Sequence, residues 1–405
     1  MTLDAGSTVV IVGGSLAGLR AAETLRAEGH GGTITLIGAE PHVPYDRPPL
    51  SKQFLAGSWG LERVVLRPPE KLAALGLDLR LGHRAERLDL DGRTLELDDG
   101  ALVGFDGLVL ATGAQPRPLP GAPALSGVHV LRTLEDSIAL GAVIGEAVRV
   151  VVVGAGFIGS EVAATCRARG AHVTVVEALP QPLARVLGEE MGAACGALHS
   201  ANGVELRTGV GVAGLVAGAN GGAVGGVALD DGTVLDADVV VVGIGVVPTT
   251  AWLEGSGLEL ADGVVADATL HAAEGVVVAG DVARWFDQGE GALVRIEHWT
   301  NAAEQGAVAA RSLRAGRAGA APYVPVPYFW SDQYDTKIQV IGHPRPDAEV
   351  VVVEGTPSSG RFVALYGHDG KLVAALGFGR PRQLMAYRPL LEARAGFGEA
   401  LARTG

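Results

Sequence analysis

One pattern occurs twice in this chain and restricts its fold more than any other feature. A short apolar strand runs into a glycine-rich turn, which opens a helix that leads to a second strand and an acidic residue. The first copy reads TVVIV at Thr8–Val12, GGSLAG at Gly13–Gly18, a helical stretch at Leu19–Glu28, and TITLI at Thr33–Ile37 ending near Glu40. The second reads RVVVV at Arg149–Val153, GAGFIG at Gly154–Gly159, a helical stretch at Ser160–Arg169, and HVTVV at His172–Val176 ending at Glu177. A dinucleotide-binding fold requires this structural context.

The three glycines of such a motif have separate physical tasks. The first turns the chain sharply, the second lets the backbone approach a pyrophosphate, and the third allows the helix to pack closely on the strand. The pyrophosphate then binds free N–H groups at the positive end of the helix. The second copy is complete, whereas the first has Ser15 at its middle position. A packing turn without a nucleotide is an alternative for either copy alone, but the two together predict two nucleotide sites.

Glu177 bears on the choice between NADH and NADPH. Its carboxylate would accept hydrogen bonds from ribose hydroxyls and would repel a 2′-phosphate. No arginine follows in Ala178–Leu183, and Arg185 is the nearest cation. The second copy therefore favours NADH.

Composition and charge narrow the class of protein. The chain has 405 residues, of which 48% are hydrophobic and 19% charged, as expected for a globular protein of two or three domains. A net charge of −13 argues against a nucleic-acid partner. No apolar run approaches the roughly 20 residues needed to span a bilayer, and no signal peptide is visible. We expect a cytoplasmic protein without membrane association.

The two cysteines, Cys166 and Cys195, match neither a metal-ligand pattern nor CxxC. We expect two reduced, partly buried thiols and no metal site.

Five further segments carry a resemblance to a known family. They are YDRPPLSK at Tyr45–Lys52, LATG at Leu110–Gly113, VVVAGD at Val276–Asp281, EHWTNAAEQ at Glu297–Gln305 and FWSDQYD at Phe329–Asp335. Together with the glycine motifs, they resemble the NADH-dependent ferredoxin reductases. These putidaredoxin-reductase-like flavoproteins serve cytochrome P450 and Rieske oxygenase systems. The resemblance covers almost the whole chain, and its motifs follow the order of that family.

The resemblance implies FAD at the first fold and NADH at the second. The implied FAD residues are Gly13, Ser15, Leu16, Ala17, Gly18, Glu40, Arg47, Lys52, Ala111, Thr112, Gly113, Gly280, Asp281, Glu297, His298, Trp299 and Trp330. The implied NAD residues are Gly154, Gly156, Phe157, Ile158, Gly159, Glu161, Glu177 and Gly245. Among the former, Arg47 can neutralise a phosphate, and the two tryptophans would lie beside the isoalloxazine unless they are ordinary core aromatics.

Lys52 and Glu161 are the implied catalytic residues. The resemblance places Lys52 near flavin N5, where a cation tunes the flavin, and pairs it with Glu161. A buried lysine without a partner would be costly, so the glutamate is a sensible counter-ion. The alternative is that both are surface charges on unrelated elements.

The region after the first fold also limits where electrons can leave. Flavoproteins of the glutathione-reductase type carry a redox-active cysteine pair there, but Pro48–Leu55 contains no cysteine. Electrons must therefore leave from the flavin itself, which suits a one-electron partner such as a 2Fe–2S ferredoxin. Other acceptors remain open, namely a rubredoxin or oxygen. A redox-switched interaction protein of the apoptosis-inducing-factor type is the alternative from another class.

The expected architecture is α/β and glutathione-reductase-like, with two Rossmann-like domains and a C-terminal α+β domain. The FAD domain comprises residues 1–112 and 246–322, with the NADH domain, 113–245, inserted. Pro116–Pro123 and Gly243–Pro248 form the two crossing linkers. Residues 323–405 form the third domain, with strands at Glu349–Val353, Phe362–Tyr366 and Val373–Phe378 and a closing helix near Gln383–Arg394. We expect a monomer or a homodimer.

Arg311, Arg314 and Arg317 lie at i, i+3 and i+6, on one side of a predicted helix. Ferredoxins are usually acidic, so this cluster is a candidate docking patch that acts mainly on association rate. The alternative is an ordinary solvated helical face.

Overall fold

The computed structural model describes residues 3–403. The chain divides into two units. Unit 1 takes in the chain up to Asp46, Leu61–Gln115 and Val246–Pro325, and unit 2 takes in Arg47–Gly60, Pro116–Gly245 and the chain from Val326 onward. Residues 1–2 and 404–405, at the ends of the predicted domains, lie outside the described residues. The predicted domain boundaries stay predictions; the division by contacts groups Arg47–Gly60 and the C-terminal segment with the inserted region.

Unit 1 is built on a six-stranded sheet that includes both strands of the first repeat. The strands, in sheet order, are β19 (His271–Ala273), β20 (Val276–Val278), β7 (Gly107–Leu110), β1 (Val9–Val12), β2 (Ile34–Gly38) and β3 (Asp78–Leu81). All neighbours pair in parallel except β19 and β20. Val9, Val10 and Ile11 are fully buried, as expected for a parallel strand covered on both faces.

Helices and smaller sheets complete unit 1. The helices are α1 (Leu16–Ala27), α2 (Pro69–Ala73) and α7 (Trp299–Ala315), and one three-stranded sheet contains β4 (Ala85–Asp89), β5 (Thr94–Leu97) and β6 (Leu102–Gly104). A second contains β18 (Val264–Ala266), β21 (Ala283–Asp287) and β22 (Ala292–Val294). A two-stranded ribbon pairs β8 (Ala114–Pro116) with β17 (Val246–Pro248).

The second repeat forms a parallel sheet in unit 2. Its strands, in sheet order, are β12 (Glu205–Thr208), β11 (His172–Glu177), β10 (Arg149–Val153), β16 (Val239–Val242) and β9 (Val128–His129). A small antiparallel sheet contains β13 (Val212–Ala217), β14 (Val224–Leu229) and β15 (Val234–Asp236). The helices of this part are α3 (Leu134–Val143), α4 (Phe157–Ala168), α5 (Ala184–Leu187) and α6 (Glu189–Ala201).

An antiparallel sheet forms the C-terminal part of unit 2. Its strands, in sheet order, are β23 (Tyr328–Gln333), β24 (Thr336–Gly342), β27 (Lys371–Phe378), β26 (Arg361–His368) and β25 (Glu349–Thr356), so the three predicted strands are confirmed. Phe362 and Phe378 stack in its core, which also includes Leu187 and Met191 of the two preceding helices. The C-terminal sheet therefore shares one hydrophobic cluster with α5 and α6.

The predicted closing helix near Gln383–Arg394 is wrong in detail. The chain forms three short helices, α8 (Pro381–Met385), α9 (Arg388–Glu392) and α10 (Phe397–Ala402). Pro389 lacks the N–H that a continuous helix would need, which explains the break before α9.

The helices after the glycine turns begin three residues earlier than predicted. Ser15 and Gly156 are the N-cap residues, so α1 begins at Leu16 and α4 at Phe157. The third glycine of each motif consequently lies inside the first helical turn, where it faces the strand.

Candidate functional site

The first glycine loop follows β1 in unit 1 and is closely packed. Gly13 has φ +130°, and a Cβ there would lie 2.0 Å from the carbonyl oxygen of Ala111, just after β7. A Cβ on Gly18 would lie 2.0 Å from the carbonyl oxygen of Gly13. Both positions therefore require glycine. Ser15 has φ −117° and ψ −158°, an extended conformation that any residue adopts, which explains why serine fits the middle position.

The second loop follows β10 in unit 2 and repeats this geometry. Gly154 has φ +98°, and its Cβ would lie 2.5 Å from the carbonyl oxygen of Gly243, just after β16. A Cβ on Gly159 would lie 2.1 Å from the carbonyl oxygen of Gly154. A Cβ on Gly156, by contrast, would have no protein atom within 4 Å. The space at the middle position is open, as close approach of a pyrophosphate requires.

The two helix N-termini that these loops open are suited to an anion. Neither Ser15 nor Gly156 supplies a side-chain cap, and neither helix has an acidic residue in its first turn. The first N–H groups of α1 and α4 are therefore available to a phosphate. The residues present fit a dinucleotide in each unit.

A second chain segment reaches the first glycine loop within unit 1. Gly280 has φ +77°, and its Cβ would lie 3.2 Å from the Cβ of Ala17 on α1. The backbone on either side of Asp281 is held by side chains, since Gly280 N–H donates to Gln305 Oε1 at 2.8 Å and Arg295 Nη1 donates to the Asp281 carbonyl at 3.3 Å. The fold thus brings the predicted Gly280–Asp281 turn beside the predicted phosphate cradle.

The start of α7 supplies the other predicted FAD residues of unit 1. His298 is the N-cap, and the Trp299 indole N–H donates to Asp46 Oδ1 at 2.6 Å. Glu297 pairs with Arg295 at 2.6 Å. Glu40 accepts a hydrogen bond from the Tyr45 hydroxyl. Of the LATG segment, Ala111 and Gly113 flank Thr112, whose hydroxyl donates to the carbonyl oxygen of Thr249 at 3.0 Å.

Glu161 of α4 is the centre of a polar cluster in unit 2. Its side chain is 3% exposed and pairs with Lys52 Nζ at 2.9 Å, so the two predicted residues do meet and are not unrelated surface charges. Ser51 Oγ donates to Oε2 of the same carboxylate at 2.5 Å. Ser331 Oγ donates to Oε1 at 2.8 Å, and the Asp332 N–H donates to it at 3.3 Å. Four donors therefore fix one buried carboxylate.

Ser51 and Ser331 contact the candidate site but were not predicted from the sequence. Both lie in the segments that carry the family resemblance, but they are 110 and 170 residues from Glu161 in sequence. A hydroxyl has no sequence signal that identifies so distant a partner. Each segment contains one serine, and only the fold shows that it faces the Glu161 carboxylate.

The remaining predicted FAD residues, Arg47 and Trp330, also lie in unit 2. Arg47 donates to the backbone carbonyl oxygen of Arg132. Trp330 stacks with Tyr328, with ring centroids 6.0 Å apart, and Lys337 Nζ lies 5.9 Å from its ring centroid.

The predicted NAD residues surround the second loop. Glu177 Oε2 accepts from the Ala155 N–H at 2.8 Å, and Oε1 accepts from the Leu179 N–H at 2.9 Å. The acid thus ties the glycine loop to the end of β11. Phe157 packs edge-on against Phe329 at 4.7 Å, and Ile158 is 47% exposed. Gly245 has φ +100°, which glycine adopts without strain.

Comparison with known proteins places this geometry in a family. Residues 7–306 match the pyridine nucleotide-disulphide oxidoreductase family, and residues 328–403 match the reductase C-terminal family. The chain belongs to these oxidoreductases. Rhodocoxin reductase from Rhodococcus erythropolis is 40% identical over 95% of this chain and 89% of its own length. The anthranilate 1,2-dioxygenase system ferredoxin–NAD(+) reductase component from Burkholderia cepacia is 40% identical over 95% of this chain and 94% of its own.

A solved structure agrees with these matches. The covalent putidaredoxin reductase–putidaredoxin complex superposes with a TM-score of 0.91 at 33% identity, covering 98% of this chain and 96% of that one. The predicted resemblance, the two Rossmann-like folds with a C-terminal α+β domain, and the FAD- and NADH-dependent oxidoreductase class are confirmed.

This oxidoreductase differs from the disulphide members of its family in its thiols. Cys166 lies in α4 and Cys195 in α6, and both are free and fully buried. Burial raises the pKa of each thiol to about 12. Thiols in this state are unreactive, because the thiolate is the nucleophile.

The arginines of the predicted docking patch are ion-paired on the oxidoreductase surface. Arg311 and Arg314 both pair with Glu28, at 2.6 and 3.2 Å. Arg317 lies beyond the end of α7, so the predicted single helical face holds only two of the three. Arg317 pairs with Asp267 at 2.9 Å. The patch stays a prediction, with its charge partly compensated.

Across residues 3–403, each helix of the oxidoreductase is too short or too polar to cross a bilayer.

Proposed function

We propose that this oxidoreductase passes electrons from NADH through FAD to a 2Fe–2S ferredoxin that supplies a cytochrome P450 or Rieske oxygenase. Relatives that match nearly its whole length include a reductase component of a dioxygenase system, and a structural relative was solved joined to its putidaredoxin. FAD, when bound, accepts a hydride from NADH and can release the electrons singly, which suits an iron–sulfur acceptor.

The observation that carries the proposal is the state of the two thiols. Cys166 and Cys195 are buried in separate helices, and the chain has no other cysteine. A dithiol cannot relay electrons to a substrate here, so the acceptor must take them from the flavin. This requirement distinguishes a ferredoxin reductase from the disulphide-reducing members of the family.

The predicted site residues take the following roles in this proposal. The loop from Gly13 to Gly18 and the Gly280–Asp281 turn would hold FAD, and the loop from Gly154 to Gly159 would hold the NADH pyrophosphate. Glu177 would accept hydrogen bonds from the NADH ribose. Lys52 would tune the flavin, with Glu161 as its fixed counter-ion.

An anaerobic titration of the yellow protein with NADH, and then with NADPH, tests the first half of the proposal. We expect full bleaching of the flavin absorbance by stoichiometric NADH and a much higher requirement for NADPH. A colourless protein that takes up neither FAD nor NADH would contradict the assignment.

Cytochrome c reduction with a panel of acceptors tests the second half. We expect fast turnover with at least one 2Fe–2S ferredoxin and slow turnover with rubredoxin or oxygen alone. Faster turnover with rubredoxin or oxygen would identify that molecule, and not a ferredoxin, as the acceptor. Slow turnover with every acceptor, with a change in oligomeric state on reduction, would indicate a redox-switched interaction protein.

We place the enzyme in the cytoplasm, as a monomer or homodimer, with the Arg311–Arg317 segment contacting the acidic ferredoxin. Analytical ultracentrifugation with and without NADH measures the oligomeric state.

A further inference from the structure

Helix α4 carries two adjacent polar side chains that are almost completely buried. Ser160 is 0% exposed and Glu161 is 3% exposed. Glu161 binds the β23–β24 hairpin directly, through Ser331 Oγ and the Asp332 N–H. Ser160 has a different partner, His199 of α6. His199 in turn contacts Tyr334 at the tip of the same hairpin.

His199 joins α4 to the tip of the hairpin. Its Nε2 lies 3.1 Å from Ser160 Oγ, and its Nδ1 lies 2.7 Å from the Tyr334 hydroxyl. The histidine is fully buried, and its ring meets the Tyr334 ring edge-on at 5.6 Å. Burial of the ring favours neutral imidazole, which makes one donated and one accepted hydrogen bond with these two hydroxyls. The hairpin is therefore fixed to consecutive residues of one helix at two points.

The conformation of Tyr334 shows that this second attachment costs free energy. Gln333 pairs with Thr336, so the hairpin turns over two residues, of which Tyr334 is the first. Tyr334 has φ +55°, in the left-handed region that a glycine would adopt without strain. A bulky residue keeps such a backbone only where its surroundings hold it. Here the hydroxyl bond to His199 and packing against the core around Val162 hold the side chain.

We infer that His199 and Tyr334 are positioning residues for the Glu161 carboxylate. By fixing the tip of the hairpin, they set the position of β23 along the axis of α4. At this position Ser331 Oγ and the Asp332 N–H reach Glu161 Oε1. The carboxylate then keeps one orientation toward Lys52. This inference rests on the proposed function for its effect on rate, but its geometric part does not.

The test compares two tyrosine hydroxyls of the same sheet. Tyr334→Phe removes only the bond to His199. Tyr366→Phe is the matched control, because the Tyr366 hydroxyl is also buried and donates to the Leu187 carbonyl oxygen at 2.9 Å, away from Glu161. Hydrogen exchange of the FAD-loaded protein is measured for the Asp332 amide. We expect about tenfold faster exchange in Tyr334→Phe than in Tyr366→Phe, since the hairpin opens more often when one attachment is lost. Equal exchange in the two variants would overturn the inference.

A double-mutant cycle tests whether Tyr334 and Ser331 act on the rate of flavin reduction through each other. General destabilisation of the protein would not produce such coupling. Flavin reduction by NADH is followed by anaerobic stopped flow in Tyr334→Phe, Ser331→Ala and the double variant. We expect each single change to slow the reaction by about threefold to tenfold, and the double variant to be no slower than the slower single variant. Tyr366→Phe should reduce at the wild-type rate, and adding it to Ser331→Ala should leave the rate of Ser331→Ala unchanged.

The outcomes separate this inference from the proposed function. If Ser331→Ala slows reduction and Tyr334→Phe does not, or if their effects multiply, the positioning role is wrong. If neither Ser331→Ala nor Glu161→Gln changes the rate, the catalytic role of the Lys52–Glu161 pair is wrong, and the exchange of the Asp332 amide alone decides the positioning role.

Discussion

Glu161 shows how a single buried charge is made tolerable. A carboxylate removed from water loses a large hydration free energy, and only a charged partner with several hydrogen bonds can replace it. Lys52 supplies the opposite charge, and two serine hydroxyls and one backbone N–H donate the further hydrogen bonds. The lysine side chain is itself only 11% exposed and has this carboxylate as its salt-bridge partner.

Replacing Glu161 by Gln should therefore destabilise the protein. The amide cannot accept from four donors and leaves Lys52 without a counter-ion, which we expect to lower the free energy of unfolding by about 3 kcal/mol. Urea unfolding of the FAD-loaded protein measures the loss. The double variant Lys52→Gln/Glu161→Gln should recover part of it, because no unpaired charge remains. A single variant as stable as wild type would show that the pair is effectively solvated.

Glu177 combines two tasks in one side chain. It holds the Ala155 N–H of the glycine loop and is the predicted ribose acceptor. Glu177→Ala should raise the KM for NADH by about tenfold and narrow the preference for NADH over NADPH, since both the loop tie and the negative charge are lost. Steady-state kinetics with both nucleotides measures the change. Glu205→Ala, an exposed acid on the neighbouring strand, is the control and should leave both KM values unchanged.

At this scale the sequence identified charges better than hydroxyls. The family resemblance implied that Lys52 and Glu161 form a pair, and they meet. Ser51, Ser331 and His199 were not predicted, because the identity of their partners depends on how distant segments come together. A charged residue in an apolar helix requires a counter-ion, whereas a serine or histidine is compatible with many environments.

At the scale of elements, the two glycine loops are equivalent in geometry but belong to separate units. Each places its third glycine against the carbonyl oxygen of its first, and each opens a helix without a side-chain cap. The two loops are equivalent because each must bring a helix N-terminus close to the end of a parallel strand. Binding defects in one loop should therefore leave the other nucleotide site intact.

Two alanine substitutions in the second loop separate folding from binding. Gly159→Ala places a Cβ 2.1 Å from the Gly154 carbonyl oxygen and should both destabilise unit 2 and abolish NADH binding. Gly156→Ala meets no protein atom within 4 Å, so the protein should unfold at an unchanged temperature. Its methyl group should still crowd the pyrophosphate and weaken NADH binding at least about tenfold.

Calorimetry and NADH titration of the two variants provide the measurements. FAD content should stay at the wild-type level in Gly156→Ala. Full NADH affinity in that variant would mean that the open space beside Gly156 is not the pyrophosphate site.

The predicted strands were more accurate than the predicted ends of the helices. The apolar strands of both repeats and three strands of the C-terminal sheet lie where the sequence predicts them. Helix starts were placed three residues late, because the glycine motif was treated as ending before the helix. The break at Pro389 was missed because the apolar pattern around it continues across the proline.

At the scale of the whole molecule, buried histidines make stability depend on pH. Burial lowers the pKa of His199 to about 4 and also lowers the pKa values of His30, His129 and His271. The unfolded chain, with histidine pKa values near 6.5, binds more protons than the folded chain below that pH. Stability from these groups is therefore complete above about pH 6.5 and is lost as the pH falls toward 4.

His199 should account for a substantial part of this loss. The difference between its folded and unfolded pKa values corresponds to about 3 kcal/mol at pH 4. Urea unfolding at pH 7 and pH 4.5 measures the decline, and His199→Gln should show a smaller decline than wild type. An equal decline in both proteins would assign the effect to the other histidines.

Ferredoxin docking depends on the distribution of charge over the whole surface of the molecule. Its net charge of −13 repels an acidic partner in general, so local cations must orient the encounter. Arg311→Gln should raise the KM for ferredoxin about threefold at low salt, with the difference vanishing at high salt, while ferricyanide reduction stays unchanged. Arg87→Gln, another exposed arginine in an ion pair, is the control. Equal losses in both variants would argue against a specific patch.

The isolation of both native thiols makes the enzyme convenient for site-specific chemistry. Maleimides and disulfide reagents attack thiolates, and neither Cys166 nor Cys195 offers one to solvent. A cysteine introduced on the surface would be the one position to react, without prior removal of the natural pair. Cross-linkers or fluorophores placed in this way on α7 could capture a transient acceptor and report where it binds.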